Sequence, residues 1–177
     1  MPTKTVMDSD SVNRTISRIV NQILERNNGA RDLAIIGIRT RGVYIAGRIA
    51  GEIERIEGIK PPLGTLDITL YRDDLRHKAE WPKVKKTEIP FPVEDKKVIL
   101  VDDVIYTGRT IRAAIDEIMD YGRPSSIQLV VLIDRGLREL PIQPDYVGSK
   151  LDTLSSEEVN VRLREADGTD EVIIVTG

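Results

Sequence analysis

The sequence has 177 residues, of which 40% are hydrophobic and 31% are charged, and this length is close to that of one ordinary domain. It contains no cysteine and one histidine, which excludes disulfides, thiolate metal sites, a cysteine nucleophile and multi-histidine metal sites. The formal net charge of -3 gives no overall attraction to nucleic acid or to an anionic membrane. We therefore expect one domain over residues 1–177, whose chemistry uses carboxylates, lysine, arginine, hydroxyls and backbone amides.

The first part of the chain predicts a helix, a strand and a second helix. Apolar residues recur at helical spacing between residues 12 and 24, which predicts a helix that ends near residue 27. Asp8 or Asp10 can cap its N-terminus. The segment LAIIGI at 33–38 is apolar throughout and rich in β-branched residues, as expected of a buried parallel strand. A short polar turn then leads into a predicted helix over 43–56, so these elements form the first half of a βαβ unit.

A polar excursion interrupts the middle of the sequence. After a predicted strand near 65–70, residues 71–92 are polar, basic in the middle and punctuated by prolines. A stretch this long without secondary structure inside a compact domain is typical of a functional loop or lid. We interpret it as a mobile excursion, either a loop or a hairpin.

The remaining elements repeat the strand and helix alternation. VILV at 98–101 predicts a second buried strand, a helix covers roughly 110–121, and IQLVVLI at 127–133 predicts a third strand. Such a repeat implies right-handed crossovers in a parallel sheet, hence an α/β fold. The tail over 157–175 alternates polar and apolar residues and therefore predicts an antiparallel hairpin.

Charge is distributed unevenly along the chain. Residues 1–50 hold eight basic and four acidic residues, whereas 151–177 hold two basic and seven acidic ones. We interpret both regions as solvated surface.

No segment of the sequence predicts export or insertion into a membrane. The N-terminal residues MPTKTVMDSDSV lack the basic and then apolar run of a signal peptide. The longest apolar runs are far shorter than the roughly 20 residues that span a bilayer. We therefore expect a soluble cytoplasmic protein.

Two polar motifs follow the strand at 98–101. Asp102 and Asp103 come directly after it, and Thr107 to Thr110 precede the next helix. Backbone N–H groups at a helix N-terminus, together with threonine hydroxyls, suit a phosphate, whereas two adjacent carboxylates suit sugar hydroxyls or a divalent cation. Because ligands bind beyond the carboxyl ends of parallel strands, the combination indicates a sugar-phosphate site. Taken singly, each motif is also typical of a solvated strand end or a helix cap.

The segment VILVDDVIYTGRT, residues 98–110, resembles the phosphoribosyl-diphosphate signature of the type I phosphoribosyltransferases. Over roughly residues 6–165 the chain resembles, more closely, the PyrR family of bifunctional pyrimidine-operon regulators and uracil phosphoribosyltransferases. The segments that carry this resemblance are GIRTRGVYIA (37–46), LDITLYRDDL (66–75), GRPSSIQL (122–129) and VLIDRGLRELPI (131–142).

The resemblance implies both a fold and a reaction. The fold is that of the type I phosphoribosyltransferases, a mostly parallel central sheet flanked by helices, with a flexible lid loop and a small β hood. The reaction transfers 5-phosphoribosyl from phosphoribosyl diphosphate to uracil and gives UMP and diphosphate, with Mg²⁺ bound to the donor. The resemblance also implies a homodimer or a larger homo-oligomer.

The resemblance assigns roles to individual residues. Asp102, Asp103 and Arg41 would carry catalysis, the two aspartates holding the ribose hydroxyls and the arginine neutralising the departing diphosphate. On spacing alone, Arg41 would be an ordinary exposed turn residue. The other substrate contacts implied are Thr40, Gly42, Tyr106, Thr107, Gly108, Arg109, Thr110, Arg135 and, through its backbone, Val159. The lid residues implied are Tyr71, Arg72, Asp73 and Asp74.

In some bacteria, members of the family also bind messenger RNA through a basic surface, which lets them attenuate transcription in response to UMP. The residues of this chain that match that surface are Arg14, Arg18, Arg138 and Lys150. The chain departs from the family at four positions where basic residues are usual, namely Asn13, Asn21, Leu137 and Gln143. Since RNA affinity depends on summed phosphate contacts, we expect RNA binding to be weakened.

Three functions are compatible with the sequence. The first is a uracil phosphoribosyltransferase, which the complete carboxylate pair and phosphate motif favour. The second is an RNA-binding pyrimidine regulator with only incidental catalysis. The third is a phosphoribosyltransferase for another base, such as a purine or orotate, which the donor motif alone would allow.

Overall fold

A five-stranded parallel sheet forms the centre of the protein. The computed structural model describes residues 1–69 and 86–177. In chain order the elements are β1 (Thr3–Met7), α1 (Ser9–Arg26), β2 (Leu33–Ile38), α2 (Arg41–Glu57), β3 (Leu63–Leu66), β4 (Lys97–Ile105), α3 (Arg109–Tyr121), β5 (Ser126–Asp134), β6 (Tyr146–Lys150), β7 (Glu157–Arg162), α4 (Arg164–Asp167) and β8 (Glu171–Thr176). The central sheet has the order β3-β2-β4-β5-β6.

Most predicted elements are confirmed, with corrected bounds. The strand at 33–38 is confirmed, and Asp8 caps α1 by accepting the backbone N–H of Ser11 at 2.8 Å. The strand predicted near 65–70 lies earlier, at 63–66, where it pairs with β2. Strands β4 and β5 are longer than predicted because polar residues at their ends continue the pairing.

Two hydrophobic layers cover the faces of the central sheet. Helices α1 and α2 pack on one face, where Ile35, Ile99 and Val101 meet residues such as Ile19 and Ile49. Helix α3 packs on the other face, against side chains that alternate with the first set along the same strands, as the pleat requires. In the ranges 1–69 and 86–177, no helix is long and apolar enough to cross a membrane.

A small antiparallel sheet with the order β1-β8-β7 confirms the predicted hood. The alternation in the tail forms β7 and β8, and α4 lies between them. The third strand, β1, was not predicted, because five residues at the N-terminus carry too weak a pattern to distinguish from a helix lead-in. The hood core, including Val161, Leu163 and Val172, joins the hydrophobic layer formed by α1 and α2.

The predicted lid lies mostly outside the described residues. Tyr71, Arg72, Asp73 and Asp74 belong to the part that is not described, so their predicted role stays a prediction. Of the excursion 71–92, the structure describes 86–92, where Glu88 pairs with Thr65 through two backbone hydrogen bonds of 2.7 and 2.9 Å. This bridge fastens the end of the excursion to β3.

Candidate active site

The two adjacent aspartates lie within β4 and not beyond its end. Because side chains alternate between the faces of a strand, the two differ in environment. Asp102 is 7% exposed, whereas Asp103 lines a cavity. Burial, and then the neighbouring Asp103, raise the pKa of Asp102 well above its ordinary value. The pair therefore consists of one buried carboxyl with a raised pKa and one carboxyl that lines the cavity.

A cavity of about 300 Å³ lies beside the carboxyl ends of β2 and β4. Its walls are formed by Arg41 at the start of α2, Asp103 in β4, residues 159–162 of β7, and Asp167 of α4. The cavity thus lies between the central sheet and the hood, at the edge where open α/β folds bind ligands. The structure brings together here three predicted site residues, Arg41, Asp103 and Val159.

The loop from β4 to α3 contains the predicted phosphate cradle. Gly108 adopts a left-handed conformation with φ +95° and precedes the first residue of the helix. Thr107 Oγ1 accepts the backbone N–H of Arg109 at 3.3 Å. The following N–H groups, beginning with Thr110, lie in the first turn, where a helix has no internal acceptor for them. A phosphate at this end of α3 would meet those donors and the positive end of the helix dipole.

Arg138 stabilises this loop through hydrogen bonds. Its guanidinium donates to the carbonyls of Tyr106 and Ile142 at 2.9 and 2.8 Å, and to Asp134 Oδ2 at 2.8 Å. Its side chain is 14% exposed. The resemblance assigned Arg138 to an RNA surface, and in the structure its guanidinium contacts the loop after β4 and the segment after β5.

The predicted diphosphate loop, Thr40 to Gly42, joins β2 to α2. The peptide bond between Arg39 and Thr40 is cis. A Cβ at Gly42 would lie 2.5 Å from the carbonyl oxygen of Val101, so only glycine lets α2 begin this close to β4. This close approach places Arg41 beside the carboxyl end of β4.

Arg41 forms a bidentate ion pair with the hood. Its Nη2 and Nε lie 2.8 and 3.2 Å from the two carboxylate oxygens of Asp167. The hydrogen bonds from Arg41, and then that from the backbone N–H of Leu163, lower the pKa of Asp167. Arg41, which is predicted to contact the diphosphate, is therefore paired with a carboxylate of α4.

Two turns further along α2, Arg48 fastens the hood to the helix. It donates two hydrogen bonds to Glu165 and two to Asp170, at 2.7 to 3.2 Å. Burial alone would raise the pKa of Asp170, but its hydrogen bonds with Arg48 and Arg164 lower it to about 2. These contacts keep α4 beside α2 independently of Arg41.

Arg135 is a buried cation at the end of β5, with 8% of the residue exposed. Its guanidinium donates to Thr153 Oγ1 at 3.2 Å and to the carbonyls of Leu154 and Glu157 at 3.1 and 2.8 Å. The ring of Tyr106 lies 4.1 Å from its central carbon, within the range of a cation–π contact. Arg135 thereby links the phosphate loop to the start of β7.

The other residues of the predicted RNA surface differ in how they are held. Arg14 and Lys150 are exposed. Arg18 is also exposed, and its guanidinium donates to the carbonyls of Val147 and Gly148 at 3.3 and 2.5 Å, on the edge strand β6. Part of this basic surface therefore covers the edge of the sheet.

Sequence reasoning missed the ion pairs between α2 and the hood. Asp167, Glu165 and Asp170 belong to the acidic tail, and Arg41 and Arg48 belong to the basic start of the chain. The uneven charge was interpreted as solvated surface, which is wrong for the buried Asp170, whereas the other four residues are at least partly exposed but form ion pairs. The seven-residue spacing of the arginines on one helix, opposite an acid-rich turn, was the signal available.

Comparison with known proteins agrees with this geometry. The family model described as "Phosphoribosyl transferase domain" matches residues 3–166. A hypoxanthine phosphoribosyltransferase structure from Staphylococcus aureus superposes with a TM-score of 0.70 at 17% identity, covering 98% of this chain and 92% of that one. A hypoxanthine-guanine phosphoribosyltransferase structure from Bacillus anthracis gives a TM-score of 0.69 at 16% identity over the whole of both chains. Fold and site together define a phosphoribosyltransferase.

Closer relatives specify the family. The bifunctional protein PyrR of Pelotomaculum thermopropionicum is 58% identical over 170 residues, which cover 96% of this chain and 94% of the relative. That of Deinococcus radiodurans is 54% identical over 171 residues, covering 97% and 93%. The chain belongs to the bifunctional PyrR family of phosphoribosyltransferases.

Proposed function

We propose that the protein transfers 5-phosphoribosyl from phosphoribosyl diphosphate to uracil, giving UMP and diphosphate. The observation that carries this proposal is the 300 Å³ cavity, which joins a carboxyl group, an arginine and the backbone of a hood strand at the carboxyl edge of the sheet. The phosphate loop lies at the same edge, at the end of the strand that carries the carboxyl group.

The reaction breaks the bond from C1′ of the ribose to the diphosphate and forms one to N1 of uracil, whose proton is lost. The sugar becomes oxocarbenium-like as the diphosphate departs, so catalysis needs a fixed ribose and stabilised charge more than a strong base. Asp103 would bind the ribose hydroxyls and favour the developing positive charge. Arg41 would neutralise the departing diphosphate, and the loop from Thr107 to Thr110 would hold the 5-phosphate.

Magnesium fits this site as an ion carried by the donor. Among residues 1–69 and 86–177, no group of three or more histidine, cysteine or acidic side chains is arranged to hold a metal. Mg²⁺ is commonly bound by one or two carboxylates together with substrate phosphates and water. Asp103 lines the cavity, and unlike Asp167 it is not ion-paired with Arg41, so it would hold Mg²⁺ directly or through water. The ion would supply positive charge to the leaving diphosphate.

The backbone of β7 would recognise uracil through hydrogen bonds. This strand pairs with β8 on one side, and in the described part of the chain no strand pairs with its other edge. Residues 159–162 line the cavity. An unpaired strand edge presents alternating N–H and C=O groups, which complement the donor and acceptor edge of uracil. Val159 would contribute its backbone groups to this contact.

Purified protein with Mg²⁺, phosphoribosyl diphosphate and labelled uracil is expected to form UMP and diphosphate in equal amounts. Parallel reactions contain hypoxanthine or orotate in place of uracil, and a further one contains excess chelator in place of Mg²⁺. Product is measured by chromatography of the labelled nucleotide. Turnover with hypoxanthine or orotate, but none with uracil, would instead establish a phosphoribosyltransferase for another base.

An RNA-binding regulator is the second proposed function, favoured by the exposed Arg14 and Lys150. Filter binding with a pyrimidine-operon leader, repeated across salt concentrations, is expected to show a shallow salt dependence because Asn13, Asn21, Leu137 and Gln143 stand where basic residues are usual in the family. Replacing Lys150 by glutamine should lower the slope by about one. A scrambled RNA of equal length is the control, and equal affinity for both would remove the regulatory role.

A further inference from the structure

Arg41 is the residue predicted to bind the diphosphate of phosphoribosyl diphosphate. In the structure, the edge of its guanidinium that would make this contact is already paired with Asp167. Two of its donors, Nε and Nη2, are engaged by the two oxygens of one carboxylate. The same planar edge of a guanidinium is used for bidentate contact with a phosphate. Both residues line the cavity beside Asp103. A diphosphate that meets Arg41 with this edge must therefore take the place of Asp167.

The charges of the cavity lead to the same conclusion. Its two cations are Arg41 and Arg162, and its two acids are Asp103 and Asp167. Arg162 is paired with Glu171 at 2.9 Å, so both cations already have a carboxylate partner in the hood. A diphosphate brings several negative charges, and its binding becomes more favourable when one of these carboxylates withdraws.

We propose that Asp167 occupies the phosphate-binding edge of Arg41 before phosphoribosyl diphosphate binds and gives this edge up to the diphosphate of that substrate. This inference rests on the proposed function. It goes beyond it by assigning a role to a hood carboxylate that does not itself contact the reacting atoms.

Replacing Asp167 by a diphosphate as the partner of Arg41 should cost little free energy. The side chains of Arg41 and Asp167 are 36% and 21% exposed, and ion pairs this close to solvent contribute little stability. After the exchange, Asp167 still accepts the backbone N–H of Leu163 at 2.9 Å, so its carboxylate is not left without a partner. Arg48 keeps its four hydrogen bonds to Glu165 and Asp170, and the hood stays attached to α2.

The test compares Asp167→Asn with Glu165→Gln. Both remove one negative charge from α4, but only the first removes the partner of Arg41. Calorimetric titration with inorganic diphosphate and Mg²⁺ should give a dissociation constant about fivefold lower for Asp167→Asn than for the wild type. Glu165→Gln should change it less than about twofold, because a screened charge outside the contact has little effect. The KM for phosphoribosyl diphosphate should fall with the dissociation constant, while the KM for uracil stays unchanged.

A double-mutant cycle shows whether the gain passes through Arg41. In an Arg41→Gln background, Asp167→Asn should no longer tighten diphosphate binding. The proposal is overturned if the gain persists in that background, if Glu165→Gln gives the same gain, or if Asp167→Asn weakens binding in a protein with wild-type thermal unfolding. Failure of the wild-type protein to bind phosphoribosyl diphosphate would be a different result, which contradicts the proposed function itself.

Discussion

Replacing Asp103 by asparagine is expected to lower kcat/KM for phosphoribosyl diphosphate by about 100-fold or more. Asp103 lines the cavity at the carboxyl edge of the sheet, and loss of one well-placed electrostatic group typically costs about this much in rate. Folding should change little, because Oδ1 of an asparagine can still accept the backbone N–H of Val104, which Asp103 accepts at 2.8 Å. We expect the free energy of unfolding in urea to stay within about 1 kcal/mol of the wild type.

Asp116→Asn is the matched control for this substitution. Asp116 lies on α3, where it pairs with Arg112 at 3.5 Å, and it does not line the cavity. The control should keep wild-type turnover. Parallel loss of turnover and of unfolding free energy in Asp103→Asn would instead assign Asp103 a structural role.

Gly42→Ala is expected to lower both stability and turnover. The added Cβ would lie 2.5 Å from the carbonyl oxygen of Val101 and 3.2 Å from Cα of Asp102, and both are backbone atoms that cannot turn away. The start of α2 must therefore move away from β4 and carry Arg41 with it. Such overpacking costs about 1 to 3 kcal/mol, and misplacing a catalytic group by about 1 Å can cost 100-fold in rate.

Gly47→Ala separates this effect from the general consequence of alanine in a helix. Gly47 lies on the same helix, and a Cβ there would have no neighbour within 4 Å. The substitution should leave turnover unchanged and stabilise the protein by about 0.5 to 1 kcal/mol, since alanine is the better helix former. Thermal unfolding and steady-state turnover of both variants decide the question, and equal behaviour would show that the close approach at Gly42 has no functional weight.

The sequence predicted the buried elements well because their patterns are continuous. The all-apolar run of β2 and the helical spacing in α1 leave little ambiguity about type or position. Strands β1 and β6 were missed because each has five residues and is partly exposed, so its form depends on distant partners such as β8 and β5. Local pattern contains no information about such pairing.

The identity and approximate location of the candidate site residues could be predicted from the sequence. The side chains that they contact could not. The resemblance assigned Arg41, and the structure places its side chain against the cavity. It could not show that Asp167 holds Arg41, because the two are 126 residues apart and meet only through the docking of the hood on α2. The unequal environments of Asp102 and Asp103 followed only once β4 was known to continue through both.

The hood is built from opposite ends of the chain, and this has a consequence for how the protein is made. Strand β1 pairs with β8, so residues 3–7 have no sheet partner until residues 171–176 have left the ribosome. The strands of the central sheet all lie between residues 33 and 150 and can pair as they are made, but β7 gains its neighbour β8 only when residues 171–176 are present. We therefore expect the hood, which forms one wall of the cavity, to fold after the central sheet.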